Sequence, residues 1–356
     1  MKTASILLSL LGLTLIIGFT TWLGAGAVTR AMLSVGSGGF ALLVLWQVAT
    51  DGVLALAWRT ACPRAVLDIG IGRLLLARMV REAGITCLPF SQVGGILIGM
   101  RATGFGCGRT LPWPTAVAAN ILDITTEVIG QIGFVLLGLV FLLDRKPGTD
   151  LAGPLGLGMI LGIAAIAGFI WAQRSAGGLF RRGVGLLGRH LGRQTDGAVA
   201  AEPVAGSPML GKIDNLQDRI NQFYARPGRI AAASLVQLVG WIGDAAWVWL
   251  AYRLLGAPVG WGAALAIQGV ASGILSLSFL MPAALGVQEG AYVALGSLFG
   301  IDPHLSFGLS LLRRGRDLAI GVPTLLWWQW MEVRRLRRTA HGRAAEAGAT
   351  LDRLSP

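Results

Sequence analysis

Leu305–Met331 reads LSFGLSLLRRGRDLAIGVPTLLWWQWM. Apolar residues fill both flanks, Leu305–Leu312 and Leu318–Met331, yet Arg313, Arg314, Arg316 and Asp317 interrupt the run. At the helical rise the segment is long enough to cross a hydrocarbon core, which takes roughly 20 residues. The arginines lie too deep in it to snorkel easily to the headgroups. The stretch therefore reads as a membrane helix carrying buried charge, and the rest of the chain has to supply partners for that charge.

Composition agrees. Of 356 residues 54% are apolar and 13% charged, against roughly a quarter charged in a soluble domain. Further apolar runs of crossing length stand at Ile6–Leu23, Gly153–Ala172 and Trp261–Leu280. Ala25-Gly26-Ala27 after the first run has a signal-peptide look, but an uncleaved first helix is the preferred reading. Cys62, Cys87 and Cys107 show no paired spacing, and His190, His304 and His341 are scattered, so neither a disulfide framework nor a zinc site is expected. No cofactor is expected.

The formal charge of +12 is distributed in a telling way. Twenty-two of the 30 Lys and Arg fall in three connecting segments, Trp58–Pro112, Gln173–Arg229 and the chain after Glu332. That clustering marks cytoplasmic loops rather than a nucleic-acid surface. With the N-terminus inside, spans at about 5–23 and 36–57 return the chain to Arg59. The stretch 66–100 then crosses an even number of times. It joins an Arg-rich amphipathic part, Arg73–Arg81, to a Pro/Gly-broken one, Leu88–Gly99, and fits a re-entrant hairpin or a surface helix plus half-helix. Spans at 113–143 and 153–172, a cytoplasmic loop 173–229 that is either an interfacial helix or a solvated loop, and spans at 230–253 and 259–281 follow. Parity makes the short segment 284–300 a crossing before the last helix, 304–332, whose Trp327, Trp328 and Trp330 form an interfacial belt. The expected fold is all-α: a polytopic helical membrane protein of about eight crossings plus a re-entrant or interfacial segment.

Leu88–Gly95 and Met281–Gly290 each run from proline into Gly and Gln, with Gln92 in one and Gln288 and Glu289 in the other. Paired Pro/Gly-broken segments point to the substrate site of a transporter built from two repeats; unrelated kinks in Gly-rich helices are the other reading. Asp123 and Glu127, four apart, share a helix face that Gln131 extends. A charge at the centre of a membrane helix costs about 2.5–3.5 kcal/mol, so this face looks into a cavity or at cations, unless it is a polar stripe that only holds helices together. Arg313 and Asp317 are spaced as an i,i+4 pair, leaving Arg314 and Arg316 to find Asp123, Glu127, Glu289 or Asp244, or a lipid phosphate. Of these, Glu289 comes first. Asp51 and Asp244, each alone in its span, are weaker candidates.

Gly183–Gly188 fits a dinucleotide fingerprint but follows no strand and is read as chance. Gly-x-x-x-Gly pairs such as Gly95/Gly99 and Gly286/Gly290 are read as helix-packing positions. No Gly-x-Ser-x-Gly, His-Glu-x-x-His or Walker sequence is present, so an enzyme is not the leading expectation.

The element Pro282-Ala-Ala-Leu-Gly-Val-Gln-Glu-Gly290, followed by Leu311-Leu-Arg-Arg-Gly-Arg-Asp317, resembles the flippase-like transmembrane family named after lysylphosphatidylglycerol synthase. With Leu88–Gly95, Met100-Arg-Ala-Thr-Gly104 and Trp328-Gln-Trp-Met-Glu332 it is also similar to the branch associated with hopanoid biosynthesis clusters. The resemblance implies a flippase-like transmembrane domain over 1–332, a basic cytoplasmic tail over 333–356, and a bacterial inner-membrane protein of lipid transport. The chain departs here from the full-length synthases: neither the loop 173–229 nor the tail is long enough to form an aminoacyl-transferase domain, so aminoacylation of lipid is not expected. The expected ligand is a membrane lipid with an anionic or polyhydroxy headgroup, bound by Arg313, Arg314, Arg316, Asp317, Glu289, Asp123, Glu127, Gln92 and Gln288. Lipid-biosynthesis enzymes are possible partners. The rival expectations are a membrane-embedded lipid-modifying enzyme with Asp123 or Glu127 as general base, and a non-catalytic scaffold.

Overall fold

Long runs of Leu, Val, Ala and Ile, with backbone hydrogen bonds satisfied inside each segment, leave helices as the form such a sequence takes in a bilayer. The computed structural model describes residues 25–62, 69–87, 91–105, 111–145, 218–277 except 219 and 223, and 286–352, with five isolated positions between 160 and 171. Side chains are described to residue 335 of the last helix. The first expected span, the span at 153–172 apart from those isolated positions, and most of the basic loop lie outside the described residues.

Among the described residues the elements are α1 (Ala25–Ser34), α2 (Gly36–Ala61), α3 (Ile71–Cys87), α4 (Ser91–Phe105), α5 (Trp113–Arg145), α6 (Pro227–Leu254), α7 (Trp261–Leu277), α8 (Val287–Leu298) and α9 (Pro303–Asp352). No strand occurs among them. Three helices, α2, α5 and α6, are long and apolar enough to cross a membrane. The protein is an all-α membrane protein.

Contacts fix how these helices lie. Trp247 Nε1 donates to the Leu43 carbonyl (3.0 Å) and Trp46 Nε1 to that of Gly243 (2.9 Å), while Leu54 sits over Gly240. The reversed order of these contacts makes α2 and α6 antiparallel. In the same way α5 and α7 meet through Gly138 and Gly269, where a Cβ on either would fall 2.7–2.8 Å from the other's Cα. Backbones approach this closely only where neither side carries a side chain.

The two Pro/Gly-broken segments are built alike in one respect: each joins a 17-residue helix to a shorter one. α3 pairs with the 15-residue α4, and α7 with the 12-residue α8. At 1.5 Å per residue α8 spans only about 18 Å, against about 30 Å for a hydrocarbon core. Its helix alone is thus too short for the crossing expected of 284–300. The breaks, with Pro89 and Pro282, lie outside the described residues. α3 and α4 form an antiparallel hairpin in which a Cβ on Gly84 would stand 2.7 Å from the Gly95 Cα. The sequence suggested a surface helix as one form of this stretch. Instead Arg78 and Arg81 are each only 2% exposed, because α3 is enclosed by α2, α4 and α9.

Two apolar clusters bracket the centre of the bundle. One gathers Trp58, Leu122 and Trp328; the other gathers Leu43, Trp247 and Leu309. Helices α2, α6 and α9 pass from one to the other, and their polar residues fall between.

Candidate functional site

The i,i+4 spacing of Asp123 and Glu127 does place both carboxylates on one face of α5, and α3 answers them. Arg81 reaches Asp123 Oδ2 and Glu127 Oε2, each at 2.8 Å. Arg78 reaches the same two carboxylates at 3.1 and 2.8 Å. Each guanidinium thus spans both acids, a forked geometry that Arg suits and Lys does not, and the four charges cancel. Gln237 of α6 donates to Asp123 Oδ1 at 3.2 Å. Gly99 of α4 leaves room for the Arg81 stem, which a Cβ there would meet at 2.7 Å. Asp123 and Glu127 therefore pair with α3 rather than with the arginines of the last helix, contrary to one expectation from sequence. Arg78 and Arg81 went unnoticed as site residues. Two buried acids on one helix face called for two cations, and an i,i+3 arginine pair among Leu74, Ala77 and Val80 was available to supply them.

A second network surrounds the α9 arginines. Arg313 donates to Asp244 Oδ2 (3.2 Å), Tyr292 Oη (2.6 Å) and Gln268 Oε1 (3.2 Å), and Gln268 Nε2 donates in turn to Asp244. Arg316 holds Asp317 Oδ1 through Nη2 (2.7 Å) and Gln47 Oε1 through Nη1 (2.6 Å), with Asp244 Oδ1 at 3.5 Å and the Trp247 ring 4.5 Å beneath it. The expected Arg313–Asp317 pair is replaced: Arg313 turns to the deeper Asp244, and Asp317 takes its neighbour Arg316. Asp244, a weak candidate alone in its span, proves central because α6 brings it to both arginines.

Arg314 points elsewhere. Its Nε and Nη2 lie 2.7 and 2.6 Å from Glu289 Oε1. Glu289 Oε2 accepts the backbone N–H of Gly286 (2.8 Å), whose φ of +77° suits glycine at the start of α8. Glu289 thus closes a helix end and neutralises a buried arginine at once. Gln288 donates to the Ser310 carbonyl at 3.3 Å. Of Gln92 only the backbone, in the first turn of α4, is described.

Between the two networks lies a cleft of about 810 Å³, its mouth included, walled by α2, α3, α5, α6 and α9. Glu127 of the first network and Arg313, Arg316 and Asp317 of the second all line it, with Gln47, Thr50 and Asp51 from α2 and Met79, Glu82 and Thr86 from α3. The two polar clusters of the sequence therefore do share one cavity. Asp123 stands behind its wall, while Arg314, Glu289 and Gln288 are outside its lining. Since α2, α6 and α9 carry these polar residues between the two apolar clusters, the cleft sits at mid-depth in the bundle. Buried Arg and Asp in a membrane helix face the bundle interior or a cavity and pair with one another, as Arg313, Arg316, Asp244 and Asp317 do here.

The model of the lysylphosphatidylglycerol synthase transmembrane region matches residues 7–323. The chain belongs to this family. Membership makes it a membrane protein linked to lipid handling. No curated protein and no solved structure matches it. The match to the family model spans both networks and every residue that lines the cleft.

Proposed function

We propose that this family member moves lipid between leaflets, holding the headgroup in the cleft between α2, α3, α5, α6 and α9 while the acyl chains stay in the bilayer. The observation that carries the reading is the mid-depth cleft itself, into which five helices bring charged or hydrogen-bonding side chains. Basic loops on the cytoplasmic face of a bacterial inner membrane fit the charge distribution, and the motif likeness noted above supports a link to hopanoid or phospholipid handling. Lipid-biosynthesis enzymes are the partners this reading calls for.

The engagement of both Asp123 and Glu127 by Arg78 and Arg81 favours transport over a lipid-modifying enzyme that uses either acid as a base. The test is leaflet exchange of a fluorescent phospholipid in vesicles holding the purified chain, with the extracted lipids analysed for new products. Exchange that falls at least tenfold in Arg316→Ala supports transport. A chemically altered lipid supports the enzyme instead, and neither outcome leaves a scaffold.

A further inference from the structure

Helix α9 does not stop at the interface. It continues as one helix from Pro303 to Asp352, past Trp327 and Trp330, which are 45% and 48% exposed. Tryptophan rings of this kind settle at headgroup level. Beyond them come Arg334, Arg335, Arg337, Arg338 and Arg343, and no Asp or Glu stands between Val333 and Ala345.

The acid that precedes this run is already used. Glu332 pairs with Arg101 of α4, which ties the end of α9 to the α3–α4 hairpin. Arg334 lies on the Trp330 ring instead, 3.7 Å from its centre. It is exposed and meets no carboxylate among the described residues. A cation over a ring uses the face of its guanidinium plane, while the N–H donors point outward within that plane. They stay available to an acceptor from outside the fold.

Depth decides which acceptor that is. Arg334 and Arg338 stand four and eight residues past Trp330, about 6 and 12 Å along the helix axis. Each headgroup layer of a bilayer is about 5–8 Å thick, half the difference between the hydrocarbon core and the whole. Arginine stems bridge the remaining few ångströms, since they lie along apolar surface and carry the charge to the polar layer. Lipid phosphates therefore surround the helix at this level, whereas an acidic protein would have to displace them.

We propose that the end of α9, from Trp330 through Arg338, is a binding surface for anionic phospholipid headgroups of the leaflet in which the helix ends. The assignment does not depend on what the cleft carries.

The test is competition between dioleoylphosphatidylglycerol and dioleoylphosphatidylcholine for the full chain in detergent, read by native mass spectrometry. The two lipids share their tails and differ in net charge. The wild type is expected to retain the anionic lipid at least tenfold over the zwitterionic one. That preference is expected to fall at least fivefold between roughly 0.1 and 1 M salt, as the screening length drops from about 10 to 3 Å. Two double variants divide the cluster, so that each keeps half of its charge: Arg334→Gln with Arg335→Gln, and Arg337→Gln with Arg338→Gln. Each is expected to cut the preference by about tenfold or more, since one arginine near an anionic surface contributes about 1 kcal/mol, a factor of roughly five. Either double alone decides the matter if the other does not fold. Absence of any preference in the wild type overturns the assignment and leaves the basic end to an acidic protein. A preference that salt does not weaken overturns it too, as does one that survives in the doubles, which would place the anionic lipid elsewhere on the chain.

Discussion

Asp123 has no exposed surface and accepts hydrogen bonds from two guanidinium groups and an amide. Such a residue is costly to leave alone. Removing one partner of a buried ion pair destabilises by about 3–5 kcal/mol, because the remaining charge keeps its desolvation cost. Arg81→Met is therefore expected to lower stability by about that amount in denaturant unfolding of the micellar protein. Arg81→Met combined with Asp123→Leu leaves Arg78 with Glu127, one charge of each sign, and should recover more than half of the loss. Additive effects in the double variant would show that the four residues do not act as a unit. The same reasoning explains which residues the sequence disclosed. Asp123 and Glu127 stood out because two acids at i,i+4 in an apolar helix have no local remedy. Arg78 and Arg81 did not, because arginines near a loop are ordinarily read as interfacial. Gln47 and Asp51 stand four apart on α2 while Asp244 is on α6, and only packing brings Asp244 beside Gln47 and the α9 arginines.

At the scale of helices, close glycine contacts do much of the positioning. Gly84 and Gly95 let the α3–α4 hairpin close, which sets Arg78 and Arg81 beside α5. Gly84→Leu should cost well over 1–3 kcal/mol, since a Cβ alone meets backbone at 2.7 Å. The matching control is Gly72→Leu, at an exposed position of the same helix with nothing within 4 Å of its Cβ, and it should change stability by less than about 0.5 kcal/mol. Thermal unfolding in detergent reads both, and equal effects would contradict the hairpin contact. The long helices α2, α5, α6 and α9 were legible in the sequence because apolar length is a strong signal. The depth of α3 was not, since its arginines mimic a surface face until their partners are known. The segment 284–300 reads as short in the sequence, and its helical part, Val287–Leu298, is shorter still.

For the whole molecule the account depends on one place, the cleft between the two apolar clusters. Its existence follows from how α2, α3, α5, α6 and α9 converge, a tertiary fact that no single segment encodes. The family is linked to lipid handling, and in the proposed function the cleft is where the headgroup passes. Met79 lines it, is half-buried, and takes no part in the ion pairs described, so filling space at that point tests passage without breaking a network. The most direct measurement is leaflet exchange of fluorescent glucosyl and phospholipid probes in vesicles carrying wild-type chain or Met79→Trp, with unfolding midpoints recorded for both. The account predicts exchange by the wild type and a loss of at least tenfold in Met79→Trp at an unfolding midpoint within a few degrees of wild type. Exchange that continues unchanged with the cleft plugged, or no exchange of either probe by the wild type, would contradict it.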